Sequence, residues 1–210
     1  MTKNRVVNWA MNNGALVGLI ALCIALFIAT PYFLTVANLL NIGIQAATVA
    51  ILAFGMTFVI VTAGIDLSVG SVAALGAMVS AYMFSTAGLP GWLTLLLGLF
   101  VGALAGAICG MATAWGKIPS FIATLAMMSI ARGLTLVISQ GSPIETAPSV
   151  NAFGGDIAGF PVPIIMMVIA GLMCWFILER TVLGRSMYAI GGNLEAARLS
   201  GLPVKRIQIA

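Results

Sequence analysis

Six long runs of apolar residues divide the chain, and most of the polar and charged residues fall between them. The runs lie at about residues 14–34, 42–62, 67–87, 92–115, 118–138 and 162–178. A helix rises about 1.5 Å per residue, so roughly 20 apolar residues cross the hydrocarbon core of a bilayer. The pattern therefore predicts about six transmembrane helices and an all-α, polytopic membrane protein.

The basic residues predict how these helices are oriented. If Lys3 and Arg5 are cytoplasmic and the chain changes side at each span, Lys117 and every basic residue after the sixth run are cytoplasmic too. Glu145 and Asp156 then face the outside. Because cytoplasmic loops of membrane proteins carry an excess of Lys and Arg, this distribution supports both the number of spans and a cytoplasmic N-terminus.

The composition excludes several classes of function. Only 7% of the residues are charged, against roughly 25% in soluble domains. The basic residues are scattered rather than clustered on one face, so no nucleic-acid partner is expected. The chain has no histidine, which excludes Ser-His-Asp triads and HExxH metal sites. We expect no catalytic residue, metal or cofactor in this chain.

Four glycines repeat at every fourth residue of the fourth apolar run: Gly98, Gly102, Gly106 and Gly110. Residues spaced by four lie close to one face of a helix, and a face of glycines lets a neighbouring backbone approach closely. We predict that this helix packs inside a bundle of membrane helices.

The sequence GIDLSVGS at residues 64–71 separates the second and third runs. Asp66 can accept hydrogen bonds from free backbone N–H groups, and we predict that it caps the third helix. Ser68 and Ser71 add hydroxyls at the same helix end. Two interpretations remain open: the turn lies at the cytoplasmic surface as a cap, or it lies inside the bundle as a polar element of a translocation path.

Arg132 is a basic residue within a span, and it is a further candidate for the path. It lies 15 residues beyond Lys117, which is about 22 Å along a helix from the cytoplasmic side. A lipid-facing arginine at that depth costs a few kcal/mol. The side chain is therefore expected either to face the bundle or to reach outward to the periplasmic headgroups.

Residues 179–207 follow the sixth run and form a polar segment that we assign to the cytoplasm. Within it Asn193 can cap a helix, Glu195 lies in the positive first turn, and Gly201 suits a left-handed helix end. These signals predict a helix of about two turns over residues 194–200. Because so short a helix is unstable alone in water, we expect it to need a partner surface.

The 64–71 block and the 179–207 segment together resemble the permease family of bacterial monosaccharide ABC importers. FIATL at residues 121–125 and GSP at residues 141–143 fit its ribose branch. The EAA loop of that family, which implies docking on an ATPase subunit, is matched by Glu195, Ala196 and Ala197 followed by Gly201. Family members continue with further spans, so the resemblance implies one incomplete permease domain over residues 1–210 in the bacterial inner membrane.

The resemblance implies import of a monosaccharide, ribose or a similar pentose or hexose, by alternating access. The implied partners are a separate ATP-binding-cassette ATPase, a periplasmic sugar-binding protein and a second copy of the permease. Two alternatives stay open. One is an ion-coupled secondary transporter, for which Asp66 is the candidate intramembrane acid, and the other is an assembly subunit without transport.

Overall fold

The computed structural model describes residue 11 and residues 13–209, and this part of the chain folds into helices and one short β-hairpin. Lys3 and Arg5, on which the predicted orientation of the N-terminus depends, lie outside the described residues. The elements in chain order are α1 (Gly14–Ala29), α2 (Val36–Val61), α3 (Val69–Ser85), α4 (Gly91–Ala114), α5 (Ser120–Ser139), α6 (Pro148–Asn151), a 3-10 helix (Ala152–Gly154), β1 (Asp156–Ile157), β2 (Phe160–Pro161), α7 (Val162–Arg180), α8 (Val182–Gly192), α9 (Leu194–Leu199) and α10 (Val204–Ile209).

All six apolar runs form helices, which confirms the all-α, polytopic fold. Helices α2, α4, α5 and α7 have 19 to 26 residues and are long and apolar enough to cross a membrane. Helices α1 and α3 are also apolar but shorter, with 16 and 17 residues. Large apolar side chains along these helices are exposed, among them Leu99, Phe100, Leu136 and Val137. Such exposure suits helices that are surrounded by lipid.

Helix α1 ends at Ala29, before the apolar run does. Thr30 precedes Pro31 and has an extended backbone, with φ −145° and ψ 131°. A proline disfavours helical geometry in the residue before it, so the helix stops there although the following residues are still apolar.

The described residues divide into two compact units between residues 46 and 47, and this boundary falls inside α2. In the second unit, α3 packs against both α4 and α5. The backbones of α3 and α4 approach closely, since a Cβ built on Gly76 would lie 2.8 Å from the Gly98 carbonyl oxygen. A buried apolar cluster of Ala105, Cys109 and Met127 joins α4 to α5, and the partly buried Val72 of α3 packs against it.

Two of the four glycines in the row on α4 lie at close contacts between helices, and two do not. A Cβ built on Gly98 would lie 2.7 Å from a backbone carbonyl oxygen of α3, and one built on Gly110 would lie 2.8 Å from Ile209 Cα of α10. Gly102 and Gly106 have no such atom within 4 Å. Each step of four residues turns about 40° around the helix, so Gly98 and Gly110 are about 120° apart. The row therefore meets two different neighbours instead of forming one flat seam.

The 179–207 segment is helical over most of its length, which the sequence patterns did not predict. Besides the predicted helix, observed as α9, it contains α8 and the start of α10. A buried apolar cluster holds these helices together, and we call it the inner cluster: Leu178, Met187, Ile190, Ala197 and Ile207, with Phe58, Val61, Leu202 and Val204 packed around them. The partner surface that α9 was expected to need is supplied within this chain, because Ala197 of α9 is only 4% exposed in the inner cluster.

Residues 140–161 form the longest connection between two spans, and we call this connection the outer loop. It contains α6, the 3-10 helix and the antiparallel hairpin, in which Ile157 pairs with Phe160. Residues 151–160 are all exposed. The loop is anchored at Ala147, which is 2% exposed and whose methyl group would lie 2.8 Å from a Cβ built on Gly91 of α4.

Candidate functional site

The Asp66 side chain closes the turn between α2 and α3, which we call the Asp66 turn (residues 64–68). Its Oδ1 accepts hydrogen bonds from Ser68 N and Ser68 Oγ, both at 2.7 Å. Ser68 is the residue that precedes the first turn of α3, and its side chain makes no capping hydrogen bond to the helix. The predicted acceptor role of Asp66 is observed, since it binds the free N–H of Ser68 at the start of α3, but the cap position itself is held by Ser68, two residues further on.

Helix α5 fixes the position of the Asp66 turn. Ile65 N donates to Ser120 Oγ at 3.1 Å, and Leu67 N donates to Thr124 Oγ1 at 3.2 Å. The Thr124 hydroxyl also donates a hydrogen bond to Ile65 O at 3.3 Å. Ser120 is the first residue of α5, and Thr124 lies about 6 Å further along the helix. The turn therefore lies beside the first turn of α5 and not at the middle of that helix.

Helices α3 and α5 border an open groove of about 450 Å³, which also reaches Leu67 of the Asp66 turn. Its wall includes Leu67, Ser71, Met128, Arg132, Thr135 and Leu136. The structure thus brings together two of the four sequence-predicted path residues, Ser71 and Arg132. The other two, Asp66 and Ser68, belong to the turn and do not line the groove.

The Arg132 side chain is exposed at the groove and makes no hydrogen bond or ion pair with the residues that the structure describes. It lies seven residues before Ser139, the last residue of α5, which is about 10 Å along the helix axis. Arg132 therefore borders the bundle without bonding to it. Its five N–H donors stay available to a ligand or to lipid headgroups.

Two groove residues, Met128 and Thr135, were not found from the sequence. They lie four residues before and three residues after Arg132, on the same face of α5. The sequence spacing could have indicated that Met128 and Thr135 share a helix face with Arg132. It does not reveal which neighbouring helix that face contacts. The Thr135 hydroxyl donates to Ala131 O at 2.8 Å, so its oxygen keeps acceptor capacity for the groove.

The residues that match the EAA loop divide between two faces of α9. Glu195 and Ala196 are exposed, whereas Ala197 is buried in the inner cluster. The Asn193 side chain accepts a hydrogen bond from Ala196 N at 3.0 Å, which confirms the predicted cap. Gly201 has the predicted left-handed conformation, with φ 81°. Helix α9 is thus attached to the inner cluster through Ala197, and it leaves Glu195 and Ala196 exposed.

Thr181 joins α7 to α8, and the sequence did not reveal this role. Its hydroxyl donates to Ile177 O at 2.6 Å and accepts from Gly184 N at 3.2 Å. Gly184 has no room for a side chain, because a Cβ there would overlap the Leu178 carbonyl oxygen. The preference of threonine for helix starts was the only local signal.

The chain matches a known permease family over the region that holds the Asp66 turn, the groove and α9. Residues 38–210 match the family described as "Branched-chain amino acid transport system / permease component". The chain belongs to that family. As a family member it is a multi-pass membrane permease, in agreement with its apolar helices.

Similar permeases are named for ribose. The chain is 43% identical over 220 residues to "Ribose import permease protein RbsC" of Haemophilus influenzae, covering 100% of this chain and 68% of the relative. It is 43% identical over 207 residues to the Escherichia coli K12 protein of that name, covering 96% and 64%. For the Bacillus subtilis protein of that name the identity is 45% over 200 residues, covering 93% and 62%. The chain spans about two thirds of the length of these curated relatives, and no solved structure matches it.

Proposed function

We propose that this chain forms the membrane-spanning permease part of an ATP-driven importer and that it carries a monosaccharide across the bacterial inner membrane. The observation that carries the proposal is the identity of 43–45%, over nearly the whole chain, to proteins named as ribose import permeases. ATP hydrolysis takes place on a separate ATPase subunit, and a periplasmic sugar-binding protein delivers the cargo. The permease acts as a homodimer.

A sugar is the favoured cargo, although the family description names branched-chain amino acids. Besides the ribose permeases, similar proteins are named for D-allose, at 38% identity, and for galactofuranose, at 34%. These names all denote sugars. Ribose is the first candidate because the ribose permeases have the higher identities.

Ser71 and Arg132 are the proposed contacts for the passing sugar. A guanidinium and a hydroxyl can donate hydrogen bonds to sugar oxygens, and the hydroxyl can also accept them. The groove volume of about 450 Å³ lies within the range of roughly 300–1,000 Å³ for small-molecule sites. Because the groove is open along one side, a second permease copy is proposed to close it. The hydrogen bonds of Asp66 and Ser68 favour a supporting role for both, in which they fix the start of α3.

Helix α9 is the proposed docking element for the ATPase. Glu195 and Ala196 lie on its exposed face, and Leu199 beside them is 84% exposed. Ala197 attaches the helix to the inner cluster, and Gly201 ends it.

The glycine row on α4 is proposed to set distances between helices. Gly98 sets the distance to α3 and Gly110 the distance to α10, whereas Gly102 and Gly106 leave a shallow face free for lipid or for the second permease copy.

Uptake of labelled ribose into proteoliposomes that contain the permease, its ATPase and its binding protein tests the proposed function. We expect uptake that requires ATP and continues after an ionophore has collapsed all ion gradients. Uptake that follows an ion gradient without ATP would instead support a secondary transporter. ATPase binding without uptake would support an assembly subunit. Uptake of labelled leucine without uptake of labelled ribose would make the cargo an amino acid.

The same assay tests the groove. Replacing Arg132→Leu should lower the ribose kcat/KM by about tenfold or more, because a hydrogen bond from a charged group is lost. Ser71→Ala should act in the same direction. Ser129→Ala is the matched control, since Ser129 is exposed on α5 and bonds to Leu125 O of its own helix. An equal loss of kcat/KM in all three variants would refute the role of the groove in the translocation path.

A further inference from the structure

The last turn of α8 lies directly on the end of α2, and at Gly191 the two helices meet backbone to backbone. A Cβ built on Gly191 would overlap the Val61 carbonyl oxygen and lie 3.5 Å from Ala63 N. The neighbouring Gly192 has no atom within 4 Å of its own built Cβ. Only one of these two adjacent glycines is therefore required by packing.

Apolar side chains fix both partners of this contact. Met187 and Ile190 of α8 are 5% and 2% exposed in the inner cluster, with Phe58 and Val61 of α2 packed against it. Ala197 of α9 is buried in the same cluster. Helices α8 and α9 and the end of α2 are thus packed as one body.

Hydrogen bonds fix the few residues that connect this contact to the Asp66 turn. Ala63 has a left-handed backbone, with φ 59°, and Gly64 N donates to Val59 O at 2.9 Å, which closes the end of α2. The next residue, Ile65, is already hydrogen-bonded to α5 through Ser120 Oγ. A displacement of Val61 must therefore shift the Asp66 turn or break one of these bonds.

We propose that Gly191 is a positioning residue that couples α9 to the Asp66 turn, through the contact of its backbone with the Val61 carbonyl. A side chain at such a contact absorbs small displacements by changing rotamer, whereas two touching backbones do not. Movement of α9 passes through α8 and Val61 to the start of α3, which borders the groove. The inference rests on the proposed function, because it assigns to α9 the movement that the ATPase imposes.

The experiment compares Gly191→Ala with Gly192→Ala in the complete importer, assembled with its ATPase in proteoliposomes. Three quantities are measured: ATP hydrolysis without binding protein, its stimulation by ribose-loaded binding protein, and ribose uptake. The Gly191→Ala methyl displaces backbone and lowers stability, as at Gly184, so all rates are taken per assembled importer, and unstimulated hydrolysis per importer should stay at the parent level. Gly191→Ala should reduce stimulation and uptake by about tenfold, within the range of measured coupling between distant sites. Gly192→Ala should match the parent in all three.

A second variant keeps the test decisive if Gly191→Ala does not assemble. Ile190→Val removes one methylene from the inner cluster without creating a clash, so the fold is retained while the contact loosens. It should lower stimulation several-fold at unchanged assembly. Stimulation of ATP hydrolysis at the parent level in Gly191→Ala would overturn the role of Gly191. If Gly191→Ala does not assemble, stimulation at the parent level in an assembled Ile190→Val variant would overturn it instead. A parent importer without any stimulation or uptake would instead refute the proposed function.

Discussion

The segment after α7 is closely packed, whereas most of the outer loop is exposed. Helices α8, α9 and α10 are fastened by the inner cluster, and backbone lies against backbone at Gly110 and Gly191. The outer loop leaves residues 151–160 exposed, and neither Gly141 nor Gly154 has an atom within 4 Å of a built Cβ. One region is packed to a fixed geometry, and the other has space to adjust.

This difference shows where each region tolerates movement. A close-packed region transmits displacement, whereas a loop with few buried contacts opens at little cost in free energy. On the proposed function, the 179–207 segment meets an ATPase whose motion must reach the groove. The outer loop meets a binding protein that associates and leaves in each cycle.

The largest contrast is expected between Gly184→Ala and Gly154→Ala. The new methyl at residue 184 overlaps the Leu178 carbonyl oxygen, so backbone must shift and the cost in unfolding free energy is about 3 kcal/mol or more. The methyl at residue 154 meets nothing within 4 Å, and its effect should stay below about 0.5 kcal/mol. Thermal unfolding of the purified protein in detergent measures both. A Gly184→Ala protein as stable as the parent would refute the tight junction between α7 and α8.

A smaller contrast is expected when one large apolar side chain is removed from each region. Met187 is 5% exposed in the inner cluster, so Met187→Ala should cost about 2–5 kcal/mol through lost burial and a cavity. Phe153 of the outer loop is 46% exposed, and Phe153→Ala should cost about 1 kcal/mol. The comparison uses the same unfolding assay. Similar losses for the two variants would mean that the outer loop is packed as firmly as the inner cluster.

The smallest contrast concerns two asparagines that accept hydrogen bonds. Asn193 caps α9 through Ala196 N, so Asn193→Ala should cost about 1 kcal/mol while Asn193→Ser restores most of it. Asn151 accepts from the Thr146 hydroxyl at an exposed site, and Asn151→Ala should cost less. Hydrogen exchange of the α9 amides measures the first effect locally. Unchanged protection in Asn193→Ala would show that the cap contributes nothing.

The membrane helices were predictable from sequence because length and apolarity are local properties of a segment. Helix α8 was not predicted, because Gly184, Gly191 and Gly192 lower helix propensity. A neighbouring backbone lies where a side chain would be at Gly184 and at Gly191. For Gly184 it is the end of α7 just before it, and for Gly191 it is Val61, which is remote in sequence. Tertiary contact therefore overrides propensity in α8.

The candidate site was predictable as a set of residues but not as an arrangement. The motif at residues 64–71 indicated Asp66, Ser68 and Ser71 as candidates. The position of Arg132 deep within a predicted membrane span indicated that residue. Pairing of α3 with α5 decides which of them share a groove, and it is set by contacts such as Leu67 N to Thr124 Oγ1, 57 residues apart. No local pattern encodes such a pairing.

The accessibility of residue 68 tests most directly whether α9 and the Asp66 turn move together. Ser68 is 3% exposed, so a Ser68→Cys thiol, in a protein without Cys23, Cys109 and Cys174, should react slowly in the resting importer. We expect its labelling rate to change by about tenfold when ATP is bound and trapped, and to stay at the resting value when Gly191→Ala is also present. One labelling rate in both nucleotide states, or an equal change with Gly191→Ala, would contradict the account.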